Sequence, residues 1–180
     1  MKTFLGRLFL FIGILCVVFL GMLLYQRYRP NPLAFAKSSD TMVLSESTTE
    51  HGLPVRLQIP NTAIDLFVFP ASVNGTTWET TDIGVSYLKS SPLPGSTGNA
   101  IFYGHNWPNL LGRLKNTNVG DTIEVSFADG SSVLYTVEFI TIVKPEQTKI
   151  LDNSEDSRLT IYTCTGFLDQ KRFVVTAIKE

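Results

Sequence analysis

Three side chains with reactive chemistry stand at the ends of apolar runs. His105 closes Ile101-Phe102-Tyr103-Gly104-His105, Cys164 closes Leu159-Thr160-Ile161-Tyr162-Thr163-Cys164, and Arg172 opens Arg172-Phe173-Val174-Val175. A thiolate is a strong nucleophile, an imidazole with an unperturbed pKa of ~6.5 moves protons near neutrality, and a guanidinium is a permanent cation that stabilises an oxyanion. These are the parts of a covalent acyl transfer. Each has a plainer reading: a small buried hydrophobe for Cys164, a turn residue for His105 after Gly104, and a charge that blunts strand pairing for Arg172. Their joint occurrence at strand ends, where a rigid scaffold presents side chains to substrate, favours catalysis.

Strand periodicity then says how they meet. Leu159 and Ile161 share one face of their strand, while Thr160, Tyr162 and Cys164 share the other. With the first face in the core, Cys164 points outward. The short connection 165–171 makes the strand opening at Arg172 an antiparallel neighbour, whose Phe173, Val175 and Ala177 face inward and whose Arg172 shares the outer surface with Cys164. A cation there favours the thiolate. The enzyme reading therefore requires sulfur, imidazole and guanidinium to converge on a single exposed cleft, with the sulfur outside the hydrophobic interior.

The elements that carry these residues are β-rich. Short runs at 55–59, 66–69, 100–104, 122–127, 133–143, 159–163 and 172–178 alternate with turn signals, which reads as a closed barrel or a sandwich. Asp129-Gly130 is a strong hairpin turn. Helical pattern after the N-terminal region is confined to 109–114, where Leu110, Leu111 and Leu114 share a face. Leu93-Pro94-Gly95-Ser96-Thr97-Gly98 reads as a loop leading into the strand after it.

At 180 residues the chain accommodates one ordinary domain and a short accessory segment. A net charge of -1, without a basic stripe, removes the electrostatic footprint of a nucleic-acid binder. Of the two cysteines, Cys16 lies in an uncharged stretch, 8–24, so no disulfide to Cys164 is expected. That stretch forms ~25 Å of helix at 1.5 Å per residue, enough to reach across a bilayer core, with Tyr25 and Tyr28 at the headgroups and Arg27 and Arg29 beyond. Ala34-Phe35-Ala36 offers a signal-peptidase pattern, but about ten residues past the apolar stretch, so an uncleaved anchor is the preferred reading. Residues 1–29 are thus read as a membrane anchor, 30–53, polar and aperiodic, as a flexible linker in which His51 is solvated, and 54–180 as the β-rich domain.

The quoted motifs, with Pro54-Val55-Arg56-Leu57-Gln58-Ile59-Pro60, Gly98-Asn99-Ala100, Val119-Gly120-Asp121-Thr122-Ile123 and the pair Gly104-His105 and Thr163-Cys164, resemble the sortases in order from 54 to 180. The resemblance implies an all-β fold, an eight-stranded sortase-type β-barrel with short helices after an N-terminal transmembrane helix, displayed outside a bacterial cell on a single membrane span. It implies Cys164 as nucleophile, His105 as acid/base and Arg172 as oxyanion stabiliser. The substrates would be surface proteins with an LPxTG-like C-terminal sorting signal, and the acceptor an amine of a cell-wall precursor or a pilin lysine. No cofactor or metal site is identified. Substrate choice is expected in the loops at 74–81, 145–156 and 165–171. Rival readings are an L,D-transpeptidase, whose nucleophile sits in a Ser-His-Gly-Cys context rather than after Tyr162-Thr163, and a non-catalytic tethered β-barrel module. A papain-like hydrolase is disfavoured because His105 precedes Cys164.

Overall fold

From position 54 onward the alternation of apolar and polar residues produces strands, and the strands close on themselves. A computed structural model describes residues 2–27, 33–35, 52–75 and 77–180. After helix α1 (Lys2–Arg27) come β1 (Pro54–Ile59), β2 (Ile64–Ala71), β3 (Val73–Asn74), β4 (Thr77–Trp78), β5 (Val85–Leu88), β6 (Gly98–Gly104), β7 (Thr122–Phe127), β8 (Ser132–Val143), β9 (Ser157–Thr165) and β10 (Lys171–Lys179). Single 3-10 turns lie at Pro60–Thr62, Leu111–Asn116, Thr148–Leu151 and Phe167–Asp169. Eight strands form a closed barrel in the order β1-β2-β5-β6-β9-β10-β8-β7, while β3 and β4 form a separate hairpin. Two neighbouring pairs, β2 with β5 and β6 with β9, are parallel, so the barrel is mixed.

Side-chain parity divides the buried residues into two apolar clusters. Leu57, Ile59, Val85, Phe102, Ile123, Val125, Leu159, Ile161, Val175 and Ala177 fill the barrel interior. The alternate residues of β6, β9 and β10, namely Ile101, Tyr103, Tyr162, Cys164 and Val174, belong to a second cluster with Trp78, Leu151, Leu33 and Phe35. Three strands are thus buried on both faces, and β6 accordingly reads as a continuous apolar run.

Of the barrel strands, β5 is the one that sequence periodicity did not reveal; the two-residue strands β3 and β4, outside the barrel, were not read either. All four of its residues are buried, Ser86 included, so it carries no in/out alternation. At 109–114 the three leucines are buried as expected, Leu111 and Leu114 on a 3-10 segment and Leu110 just before it. The motif-like stretch 93–98 is a turn before β6, held by Ser96 N–H on the Leu93 carbonyl and by Gly95 N–H on Tyr135 Oη at 2.6 Å.

The chain falls into two compact units, Met1–Pro32 and Leu33–Glu180. In the first, the expected N-terminal helix is present, with apolar side chains exposed from Phe9 to Tyr25. The transmembrane expectation is met only in that helical part: among the described residues no helix is long and apolar enough to cross a membrane. Most of the stretch read as a linker lies outside the described residues, as do Arg29, Ala36 and His51. Leu33–Phe35 depart from that reading, being packed against the second cluster.

One buried side chain joins the sheet to the loop after β8. Asn99 Nδ2 donates to the carbonyls of Ile150 and Asp152 at 3.0 and 3.1 Å, and Asn99 Oδ1 accepts from Thr160 Oγ1 at 2.7 Å. Asn99→Ala leaves a hydroxyl and two carbonyls without these partners, a loss of about 2–4 kcal/mol. Equilibrium urea unfolding should show it, and an unchanged midpoint would mean the network carries no stability.

Candidate active site

The three residues singled out by type come together through strand register. In the β9–β10 pair Cys164 lies directly opposite Arg172. In the parallel β6–β9 pair Gly104 lies opposite Thr163, so His105, the next residue, leaves β6 at the level of Cys164. Neighbouring strands are ~4.8 Å apart. Thr163 Oγ1 donates to the Gly104 carbonyl at 2.7 Å and pins β6 where the histidine departs.

Cys164 belongs to the second cluster and not to the barrel interior. It is nevertheless only 3% exposed, so the exposed cleft expected from the sequence is not seen, because the outer face of β9 is itself covered by apolar residues. Burial pushes its thiol up to about 12; the Arg172 charge pulls the other way and Asp169 adds to the rise. Arg172 favours the thiolate, as expected, but removing the sulfur from water outweighs the attraction of one neighbouring cation.

Arg172 is also 3% exposed. Its Nη1 donates to the carbonyls of Asp169 and Lys171 at 2.9 and 3.0 Å, and its Nη2 to the Ala34 carbonyl at 2.8 Å. The connection it holds is conformationally unusual: Gly166, Leu168 and Asp169 have φ of 83°, 53° and 58°. Left-handed backbone at a branched Leu is costly and persists where surrounding contacts enforce it. The Asp169 carbonyl on the guanidinium is one such contact.

His105 is fixed from two sides. Its Nε2 lies 3.3 Å from Asp82 Oδ1, and its ring stacks on Trp107 with centroids 4.6 Å apart and planes 12° from parallel. The Asp82 carboxylate is 73% exposed, so the pair contributes less than ~1 kcal/mol to stability, although it can orient the ring. Trp107 is placed by its carbonyl, which accepts from the N–H groups of Leu110 and Gly112, and a Cβ on Gly112 would lie 2.6 Å from that oxygen. The His105 carbonyl accepts from Leu111 N–H at 3.1 Å.

Next to Cys164 in the second cluster is an aromatic wall. Tyr103 and Tyr162 stack at 5.5 Å, Trp78 meets Tyr103 edge-on at 5.3 Å, and Tyr103 Oη donates to the Glu79 carbonyl at 2.6 Å. Asp82, Trp107 and Trp78 were not singled out from sequence; none sits in a reactive motif, and only the fold brings them to the site. Tyr103 and Tyr162 stood inside quoted motifs, with no site role read for them. Among the described residues no group of three or more His, Cys, Asp and Glu is placed to hold a metal ion.

The raised thiol predicts a pH signature. The folded state holds the Cys164 proton more tightly than the unfolded chain. Its contribution to stability is therefore complete below the ordinary thiol value of ~8.5 and is lost as pH rises from there towards about 12. Site-resolved iodoacetamide labelling should likewise give a Cys164 rate that climbs about tenfold per pH unit through pH 9. A plateau at the ordinary thiol value would contradict the buried, protonated state.

Comparisons with known proteins bear on the family and the fold. The family model described as Sortase domain matches residues 57–180. Similar solved structures are sortase A from Corynebacterium diphtheriae (TM-score 0.62, 28% identity, 74% of this chain and 63% of that one) and sortase C-1 from Actinomyces oris (0.60, 28%, 70% and 72%). Sortase C1 from Streptococcus agalactiae, in complex with MTSET, is similar in fold (0.61, 24%, 70% and 66%). The chain spans just under two thirds of the length of the Corynebacterium and Streptococcus structures. No curated protein matches it. Closed barrel, strand-end cysteine and family match lead to one conclusion: the chain belongs to the sortase family, a family of cysteine transpeptidases.

Proposed function

We propose that this chain is a transpeptidase that cleaves an LPxTG-like sorting motif at its Thr-Gly bond through a thioester on Cys164. The observation that carries the reading is the register pairing Cys164 with Arg172 and bringing His105 out at the same level. His105 takes the Cys164 thiol proton and the sulfur attacks the threonine carbonyl carbon, forming a C–S bond, while the Arg172 guanidinium donates to the developing oxyanion. As the C–N bond breaks, His105 protonates the departing amine. An incoming amine then loses a proton to His105, forms the new C–N bond and expels the thiolate; water in its place gives hydrolysis. The donors are surface proteins with a C-terminal sorting signal, and the acceptor is an amine of a cell-wall precursor or a pilin lysine.

Attachment to a bacterial membrane through α1, with the barrel outside the cell, completes the proposal. What supports it is a helix whose described side chains from Phe9 to Tyr25 are apolar and exposed. A stretch slightly shorter than the bilayer core is accommodated by local thinning and snorkelling of its flanks. Residues 1–29 then serve as anchor, 30–53 as linker and 54–180 as catalytic barrel. Carbonate extraction of expressing cells should leave the full chain in the membrane pellet; recovery in the supernatant would reject the anchor.

The low exposure of Cys164 favours the alternative of a non-catalytic barrel module, and one experiment separates the two. Incubated with a sorting-motif peptide, the full chain should show an acyl adduct on Cys164 by mass spectrometry, and Cys164→Ala none. Arg172→Ala should lower kcat by about 10²–10³ and His105→Ala by about 10²–10⁴. An adduct that persists in Cys164→Ala rejects the assignment.

A further inference from the structure

The candidate site has two electrical sides. β9 lies between β6 and β10 in the barrel, so the imidazole that follows β6 and the guanidinium that opens β10 come from strands on opposite sides of Cys164. The β10 side carries a cation suited to an oxyanion. On the β6 side the imidazole has an anion beside it, since Asp82 Oδ1 lies 3.3 Å from His105 Nε2. The carboxylate is 73% exposed and, among the described residues, forms no ion pair with a Lys or Arg. Its charge is open to a cation arriving from solvent. Trp107 covers one face of the imidazole, with planes 12° from parallel, and Asp82 stands at the Nε2 edge of the same ring.

We propose that Asp82 recognises the acceptor: together with His105 Nε2 it receives the ammonium of the incoming amine, and so favours amines over water as the group that resolves the thioester. The inference rests on the reading of Cys164 as the acylated nucleophile and His105 as its proton carrier. A lysine amine, with an ordinary pKa of ~10.4, reaches the site near neutral pH as a cation and must lose a proton before its nitrogen can attack. An ammonium carries three donors, so a single one can bridge two acceptor atoms that stand 3.3 Å apart. The carboxylate thus holds the nitrogen where the imidazole can deprotonate it. In the complete step the ammonium sheds two protons: the first passes through His105 to solvent and frees the lone pair. The second goes through His105 to the departing sulfur, as the C–N bond forms and the C–S bond breaks. Water carries no charge and gains nothing from the carboxylate.

The experiment uses the full chain acylated by a sorting-motif peptide, with two nucleophiles that compete with water near neutral pH: Nα-acetyl-lysine amide, a cation, and hydroxylamine, which is uncharged there. Asp82→Asn should lower transfer to the lysine amide, relative to hydroxamate formation, by roughly five- to tenfold, the loss expected of a partly solvated charge-assisted contact. The hydrolysed share of the product should rise with it. Asp82→Glu should recover part of the preference for the lysine amide, and added salt should narrow that preference in the parent chain but not in Asp82→Asn. The ratio separates recognition from the contact of the carboxylate with the ring, because a misplaced imidazole slows both nucleophiles alike. An unchanged ratio, whether or not both rates fall, overturns the proposal. A parent chain that yields no hydroxamate rejects the acylated Cys164 and this inference with it; a parent that yields hydroxamate, with equal ratios in parent and Asp82→Asn, rejects the inference alone.

Discussion

The position of β9 between a parallel neighbour and an antiparallel one is the constraint on which the rest of the structure depends. Its pairing with β10 sets Cys164 against Arg172, and its pairing with β6 brings His105 out beside the same residue. A slip of one residue in either pairing would turn Arg172 or His105 away, because strand side chains alternate between faces. The register is fixed in turn by the interior, where Leu159, Ile161, Val175 and Ala177 must all point inward at once. The placement of the site is thus a by-product of core packing, and mispairing would expose the core as well as dismantle the chemistry.

The outer face of these three strands is apolar too, and that governs the state of the thiol. Cys164 has a cation beside it and a cover of hydrophobic residues over it, and the cover has the larger effect. A sulfur kept protonated is shielded from adventitious oxidation and alkylation, which attack the thiolate. The same cover withholds the nucleophile from substrate.

Much of this was legible in the residues, for identifiable reasons. Parity along 159–164 and 172–177 told which side chains share a face, and the short connection between them told that the strands are antiparallel neighbours. The burial of Leu110, Leu111 and Leu114 followed from their spacing. β5 escaped because a strand buried on both faces shows no alternation, and Ser86 within it resembles a loop residue. The packing of Leu33 and Phe35 escaped because two apolar residues in a polar stretch have no periodicity, and their pocket is built from Trp78, Tyr103 and Tyr162, remote in sequence. The raised thiol escaped for a similar reason: the nearest charge is visible in the sequence, whereas desolvation is a sum over distant neighbours.

The bond from Thr163 to the Gly104 carbonyl bridges 59 positions along the chain, whereas Cys164 and Arg172 face each other across a short turn. Loop closure over such a span is slow relative to forming a local hairpin. Sulfur and guanidinium are thus paired by a local contact, whereas the imidazole reaches them only through the long-range pairing of β6 with β9. With His105 as the proposed proton carrier, competence for acyl transfer depends on the one contact of the three that no local hairpin can supply.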